Sequence, residues 1–207
     1  ILSMACLAAV ALFGFPRPAF SEPPEIEITQ WKNNKSGAIS LTFDDGYEAQ
    51  YSIGVAALND FGFKGTFFVV TEFATSCSSR YVCWDNWRNA ASAGHEIGSH
   101  SRTHPHSNDI SASELEAEIF GSQAEIERQL TSQECLVYAY PYGEFDETAR
   151  AMVESAYIGA RGAGPGLNYA PFDFYDARVW FPESVDGSLE YQADLAELSG
   201  RIVFPQS

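Results

Sequence analysis

The run Gly65-Thr66-Phe67-Phe68-Val69-Val70 limits the fold more than any other feature of the chain. It is aromatic and β-branched, with almost no polar alternation. A strand of that kind is buried on both faces, as parallel strands are when helices cover each side. Parallel neighbours need long crossover connections, and the rest of the chain supplies them. Further strands are expected at Ala38–Phe43, His95–His100, Leu136–Tyr140, Tyr157–Arg161, Asp176–Phe181 and Arg201–Phe204. Helices are expected at Tyr47–Phe61, Trp84–Ala93, Ser111–Leu130, Asp146–Ser155 and Leu189–Leu198, with Gly62 and Gly94 stopping the first two. Ser111 and Glu114 have capping-box spacing, and Leu115, Ile119, Ile126 and Leu130 share one face of the helix they open. Gly162–Asp173 reads as a loop. There is no internal repeat and no linker. The alternation predicts one α/β domain with a largely parallel sheet, open or closed.

Residues 1–21 are expected to be the remains of a secretory leader. The apolar run Met4–Phe13 is too short to span a bilayer, and Ala19-Phe20-Ser21 fits a small-residue cleavage site. Residues 22–37 form a polar N-terminal extension in which Ile26, Ile28 and Trp31 suit an edge strand. The chain carries 28 acidic against 12 basic residues, a formal charge of −16. Such a surface repels nucleic acid and anionic membranes, and it suits a neutral or cationic substrate. Cys77 and Cys83 bracket the loop Ser78-Ser79-Arg80-Tyr81-Val82 and are expected to be joined in an oxidising compartment. Cys135 is then left as a thiol, although a Cys77–Cys135 pairing stays open at this point. The expected product is a secreted or periplasmic monomer.

The stretch Thr42-Phe43-Asp44-Asp45-Gly46 puts two carboxylates side by side at the C-terminal end of a strand. Sites in parallel α/β folds are built at such ends. Adjacent carboxylates repel unless a cation or a proton separates their roles. A metal on one leaves the other to act as a base. All four histidines fall between residues 95 and 106, and His100-Ser101-Arg102-Thr103-His104 puts two imidazoles on one short loop. Two histidines and a carboxylate are a common set around zinc and other divalent ions.

Together these residues resemble the polysaccharide deacetylases, the NodB-homology group also called carbohydrate esterase family 4. Thr42-Phe43-Asp44-Asp45-Gly46 is similar to the family's first motif, and Gly94 to Pro105 to its second almost throughout. Tyr138-Ala139-Tyr140-Pro141-Tyr142-Gly143 is similar to a variant of the third. The resemblance covers most of residues 38–180 and implies a distorted (β/α) barrel spanning 38–207. It implies Asp44 as catalytic base, and Asp45, His100 and His104 as ligands of one divalent metal ion, Zn²⁺ by preference. It implies the backbone N–H of Tyr142 as oxyanion donor. His95 matches a position outside the ligand set and is read as structural.

Two departures stand out. Many members carry an arginine two residues before the proline of the third motif, where it orients the base. Here that position is Ala139. Arg161 or Arg178, near later strand ends, can take its place; Arg178 is the residue assigned, within a loose fourth motif ending at Trp180. The family's late histidine has no counterpart, and Gln206 is nearest to its place. The resemblance implies a hydrolase that removes acetyl groups from N-acetylated or O-acetylated polysaccharide. The alternative is a catalytically impaired relative that holds glycan. Tyr47, Trp84, Trp87 and Tyr142 are candidates to stack on sugar rings.

Overall fold

The structure, a computed structural model, describes residues 37–169, 171–179 and 202–203. The expected leader, the Ile26–Trp31 edge strand, the Leu189–Leu198 helix, Trp180 and Gln206 lie outside the described residues.

Two short strands open the fold, β1 (Ala38–Ile39) and β2 (Thr42–Phe43). They are followed by β3 (Thr66–Val69), β4 (Glu96–Ser99), β5 (Val137–Ala139), β6 (Gly159–Pro165), β7 (Ala177–Val179) and β8 (Ile202–Val203). Strands β2 to β7 form one sheet in chain order, and every neighbouring pair is parallel. A parallel sheet laid down in chain order winds in one direction only. It therefore curls toward a barrel and has no switch point where the winding reverses. The result is a curled half-barrel wrapped by helices, as the strand–helix alternation predicts.

The crossovers are helical. A π-helix at Gln50–Val55 runs into α1 (Ala56–Asp60) between β2 and β3. Helices α2 (Thr71–Ser76) and α3 (Trp84–Ser92) follow β3. The longest helix, α4 (Ala112–Gln129), starts at the expected capping box, with Ser111 accepting from the Glu114 N–H. Helix α5 (Glu147–Ala156) is capped by the Asp146 carboxylate. All four residues of β3 are buried. Phe67 stacks on Phe43 with ring centres 4.7 Å apart, and its other neighbours include the fully buried Trp87. Leu115, Ile119, Ile126 and Leu130 turn one face of α4 into the same core, as their spacing predicts.

Four local readings need correction. The Ala38–Phe43 strand is two strands, because the chain changes partners at Ser40-Leu41: β1 pairs with β8 and β2 with β3. Helix α2 has no counterpart in the sequence reading; it is six residues long, and a segment that short carries no apolar period. Strand β6 continues through Pro165 into the expected loop. Its glycines resemble a loop because this strand bulges, with the five residues from Arg161 to Pro165 set against three on β7, Ala177 to Val179. The Tyr47–Phe61 helix is interrupted by its π-turn, where the buried Gln50 side chain donates to the Asp44 carbonyl over 2.6 Å.

Cys77 and Cys83 are joined, and Cys135 is a buried free thiol. Among the described residues no helix is long and apolar enough to cross a membrane. The disulfide closes a short loop, so its removal is expected to cost about 2 kcal/mol from the loop-closure entropy restored to the unfolded chain. Denaturant unfolding of a Cys77→Ser/Cys83→Ser protein measures that cost. Non-reducing peptide mapping checks the pairing, and a Cys77–Cys135 peptide would refute it.

Candidate functional site

The C-terminal ends of β2, β4, β5 and β6 meet around an open cavity of about 290 Å³. Asp45 follows β2, and His100 and His104 follow β4. Their ligand atoms converge: His100 Nε2 and His104 Nε2 lie 3.5 and 3.4 Å from Asp45 Oδ1, and 3.2 Å from each other. Three ligands placed tetrahedrally about 2.1 Å from one ion stand about 3.4 Å apart, so the triangle has the dimensions a divalent metal requires. The protonation pattern agrees. His100 Nδ1 lies 2.8 Å from the Ala139 carbonyl, which can only accept. Its proton is therefore on Nδ1, and Nε2 turns a lone pair inward. Burial lowers the pKa of His104, and a proton on His100 would lower it further, which favours the neutral, ligating form of His104.

The loop between the histidines is pinned from below. Glu118, on the buried face of α4, accepts the backbone N–H groups of Arg102 and Thr103 over 2.8 and 2.7 Å, and the Thr103 hydroxyl over 2.8 Å. Ser101 Oγ accepts from the His104 N–H at 2.9 Å. The sequence reading missed Glu118. The available signal was a carboxylate inside an apolar helical stripe, a place where an unpartnered charge is rare.

Asp44, the expected base, meets a buried arginine: Arg161 Nη2 hydrogen-bonds Asp44 Oδ1. The Arg161 guanidinium also lies over the Phe68 ring, 4.9 Å from its centre, and Nη1 donates to the Gly162 carbonyl. Of the two arginines available from sequence, the structure brings Arg161 to Asp44 and leaves the assigned Arg178 elsewhere. Strand pairing gives the reason. Arg161 stands opposite Ala177, so Arg178, one residue on, turns to the other face of the sheet and is exposed. Arg161 is also the register partner of Ala139 on β5. Arg161 thus fills the place that a side chain at 139 would otherwise occupy.

Tyr142 sits in a 3₁₀ turn at Pro141–Gly143 with φ of 58°. Its exposed ring stacks on His106 at 3.8 Å and meets His104 edge-on at 4.6 Å. Gly143 is required here, since a Cβ would fall 2.4 Å from Ala163 on β6. His95 is structural as expected: it is buried, accepts from the Gly65 N–H and faces Asn59. Trp84 and Trp87 are core residues, not sugar platforms. Trp87 lies under Gly46, whose φ is +79° and where a Cβ would lie 3.3 Å from the indole. Tyr47 and Tyr142 remain on the surface near the site.

Comparison with known proteins agrees with this geometry. The family model described as polysaccharide deacetylase matches residues 32–159. A gellan lyase of Bacillus sp. is 32% identical over 139 residues, which are 67% of this chain and 5% of that protein. The peptidoglycan-N-acetylmuramic acid deacetylase PdaA of Bacillus subtilis is 28% identical, covering 65% of this chain and 54% of its own. The chain thus spans less than two thirds of the length of these relatives. Among solved structures, the Streptococcus pyogenes deacetylase PplD superposes with a TM-score of 0.67 at 21% identity, over 76% of this chain and 70% of that one. A family 4 carbohydrate esterase from Streptomyces lividans gives 0.54 at 24% identity, over 65% of each chain. The chain belongs to the polysaccharide deacetylase family.

Proposed function

We propose that this protein is a metal-dependent hydrolase that removes acetyl groups from N-acetylated or O-acetylated polysaccharide outside the cytoplasm. The observation that carries the reading is the Asp44 carboxylate, gripped by buried Arg161, beside the Asp45, His100 and His104 triangle. Asp45, His100 and His104 would hold a divalent cation, zinc by preference, which would supply Lewis-acid polarisation of the substrate carbonyl and of water. Asp44 removes a proton from the attacking water as its oxygen bonds the acetyl carbon, and returns that proton to the sugar nitrogen or oxygen as its bond to the acetyl carbon breaks, releasing acetate. Arg161 fixes the direction of the carboxylate, so that little reorganisation is needed when the proton moves. The Tyr142 N–H donates to the oxyanion. Tyr142 and Tyr47 offer aromatic faces for sugar rings. The Cys77–Cys83 bond supports an exported location.

The test is acetate release from a panel of acetylated glycans, with metal added and removed. No release from any glycan by the metal-loaded protein would overturn the reading. Metal content supplies a readout independent of turnover. His100→Ala and His104→Ala are each expected to hold much less metal than the parent, and full metal in both would refute the ligand set.

Asp44→Asn is nearly isosteric and leaves Asp45 in place. It is expected to keep the metal and to lose roughly 10²-fold or more in kcat. Arg161→Ala is expected to lose activity on the order of 10-fold or more while retaining the metal. Adding Ala139→Arg to that variant places a guanidinium at the neighbouring register position. Part of the lost rate is expected to return, and steady-state kinetics on the three proteins decides the point.

A further inference from the structure

The Cys77–Cys83 loop is tied to the segment that carries Asp45. The Glu48 N–H donates to the Arg80 carbonyl and the Val82 N–H to the Gly46 carbonyl, each at 2.9 Å. Tyr47 and Tyr81 form an isolated antiparallel bridge, and their rings stack with centres 5.4 Å apart. Phe73 stacks on the far side of Tyr81 at 4.2 Å. The Arg80 guanidinium lies 5.2 and 5.5 Å from the Tyr47 and Tyr81 ring centres, and donates to the Tyr47 hydroxyl over 3.3 Å.

Arg80 differs from most arginines of the molecule. Arg88, Arg102, Arg128, Arg150 and Arg161 each pair with a carboxylate. Arg80 is exposed and makes no carboxylate ion pair among the described residues, while Asp45 lies near enough for its charge to act on the guanidinium. In a chain of charge −16 that arrangement is unusual. Two rings and a hydroxyl set the direction of the guanidinium without neutralising it, and most of its five N–H donors stay available. A group held this way loses little freedom on binding an anion, and its planar fork matches a carboxylate. The surrounding negative charge works against polyanions and leaves a singly charged group as the fitting ligand.

We infer that the disulfide loop is a glycan subsite, where Arg80, braced by Tyr47 and Tyr81, takes the carboxylate of an acidic sugar next to the one held at Asp45, His100 and His104. The inference rests on the deacetylase reading for which sugar reacts, and it adds a preference for acidic over neutral glycan. Arg80 is a specificity-determining residue in this account and takes no part in the bond-breaking step.

The test compares the parent, Arg80→Gln and Arg80→Lys on three probes, each with metal added. The neutral probe is an N-acetylglucosamine tetrasaccharide. The acidic probes are N-acetylglucosamine tetrasaccharides in which one sugar is replaced by N-acetylmuramic acid, whose carboxylate is a lactyl ether, or by glucuronic acid. The readout is the ratio of kcat/KM on each acidic probe to that on the neutral one. Arg80→Gln is expected to lower that ratio on the order of fivefold at low salt, mainly through KM. The effect should shrink as salt rises, and Arg80→Lys should retain part of the ratio. Whichever acidic probe responds identifies the carboxylate source. Equal loss on all probes means that Arg80 merely braces the Asp45 segment, and an unchanged ratio means that it binds nothing; either overturns the inference. Direct titration of the same glycans into the parent and Arg80→Gln separates this from a failure of the catalytic reading. Acidic glycan that binds the parent more tightly than the variant upholds the subsite even without turnover. Equal binding overturns it.

Discussion

Parallel strand pairing is the interaction on which everything else in this molecule depends. Four consecutive residues of β3 pair with four of β4, from Thr66 with Glu96 to Val69 with Ser99. The ladder does not stop where the strand label ends. The His100 N–H donates to the Val69 carbonyl, and the Tyr140 N–H to the Arg161 carbonyl, each at 3.0 Å. His100, the first candidate metal ligand of the histidine loop, and the residue before Pro141 are therefore held by sheet hydrogen bonds. Because all strands run the same way, their working ends collect at one rim. Phe43, Phe67 and Trp87 pack beneath that rim and keep β2 and the Gly46 turn in place.

The rim itself is strained. Asp45, Ser101, His104 and Tyr142 all have φ between 58° and 71°, in the left-handed region that suits glycine. Only one other non-glycine residue among those described, Cys77, shares that conformation. Each such residue costs of order 1 kcal/mol or more and persists only when its surroundings hold it. Here the holders are visible: Glu118 and the Ser101 hydroxyl under the histidine loop, and the Val82 bond to Gly46 beside Asp45. Two of the three candidate ligand residues are thus set in their backbone conformation by contacts among the described residues themselves. That is the expected form of a preorganised centre.

Much of this was readable from the chain alone. The buried, largely apolar β3, the capping box of α4 and the two strand-end motifs are local patterns, and local patterns survive in sequence. The Asp45, His100 and His104 grouping was legible for the same reason: each half is a short segment, and folding had only to bring the ends of β2 and β4 to one rim. What was not legible depends on pairing across distance. Nothing local reveals that Ala38-Ile39 leaves the first strand for β8, or that a glycine-rich stretch after Arg161 remains paired through a bulge. Glu118 escaped notice because its partners, two backbone N–H groups and the Thr103 hydroxyl, lie on another loop that only folding brings to it.

The exchange of Ala139 for Arg161 has a wider meaning. The two residues are distant along the chain and adjacent across the sheet. In a column-by-column alignment, the motif position would appear vacated and the enzyme crippled. In space the guanidinium has moved one strand sideways and still reaches Asp44. The quantity preserved is an address on the barrel rim, which neighbouring strands are able to serve interchangeably. A chain of this architecture should therefore be judged competent or not by which groups stand at the rim, and its motifs read as one of several spellings of the same site.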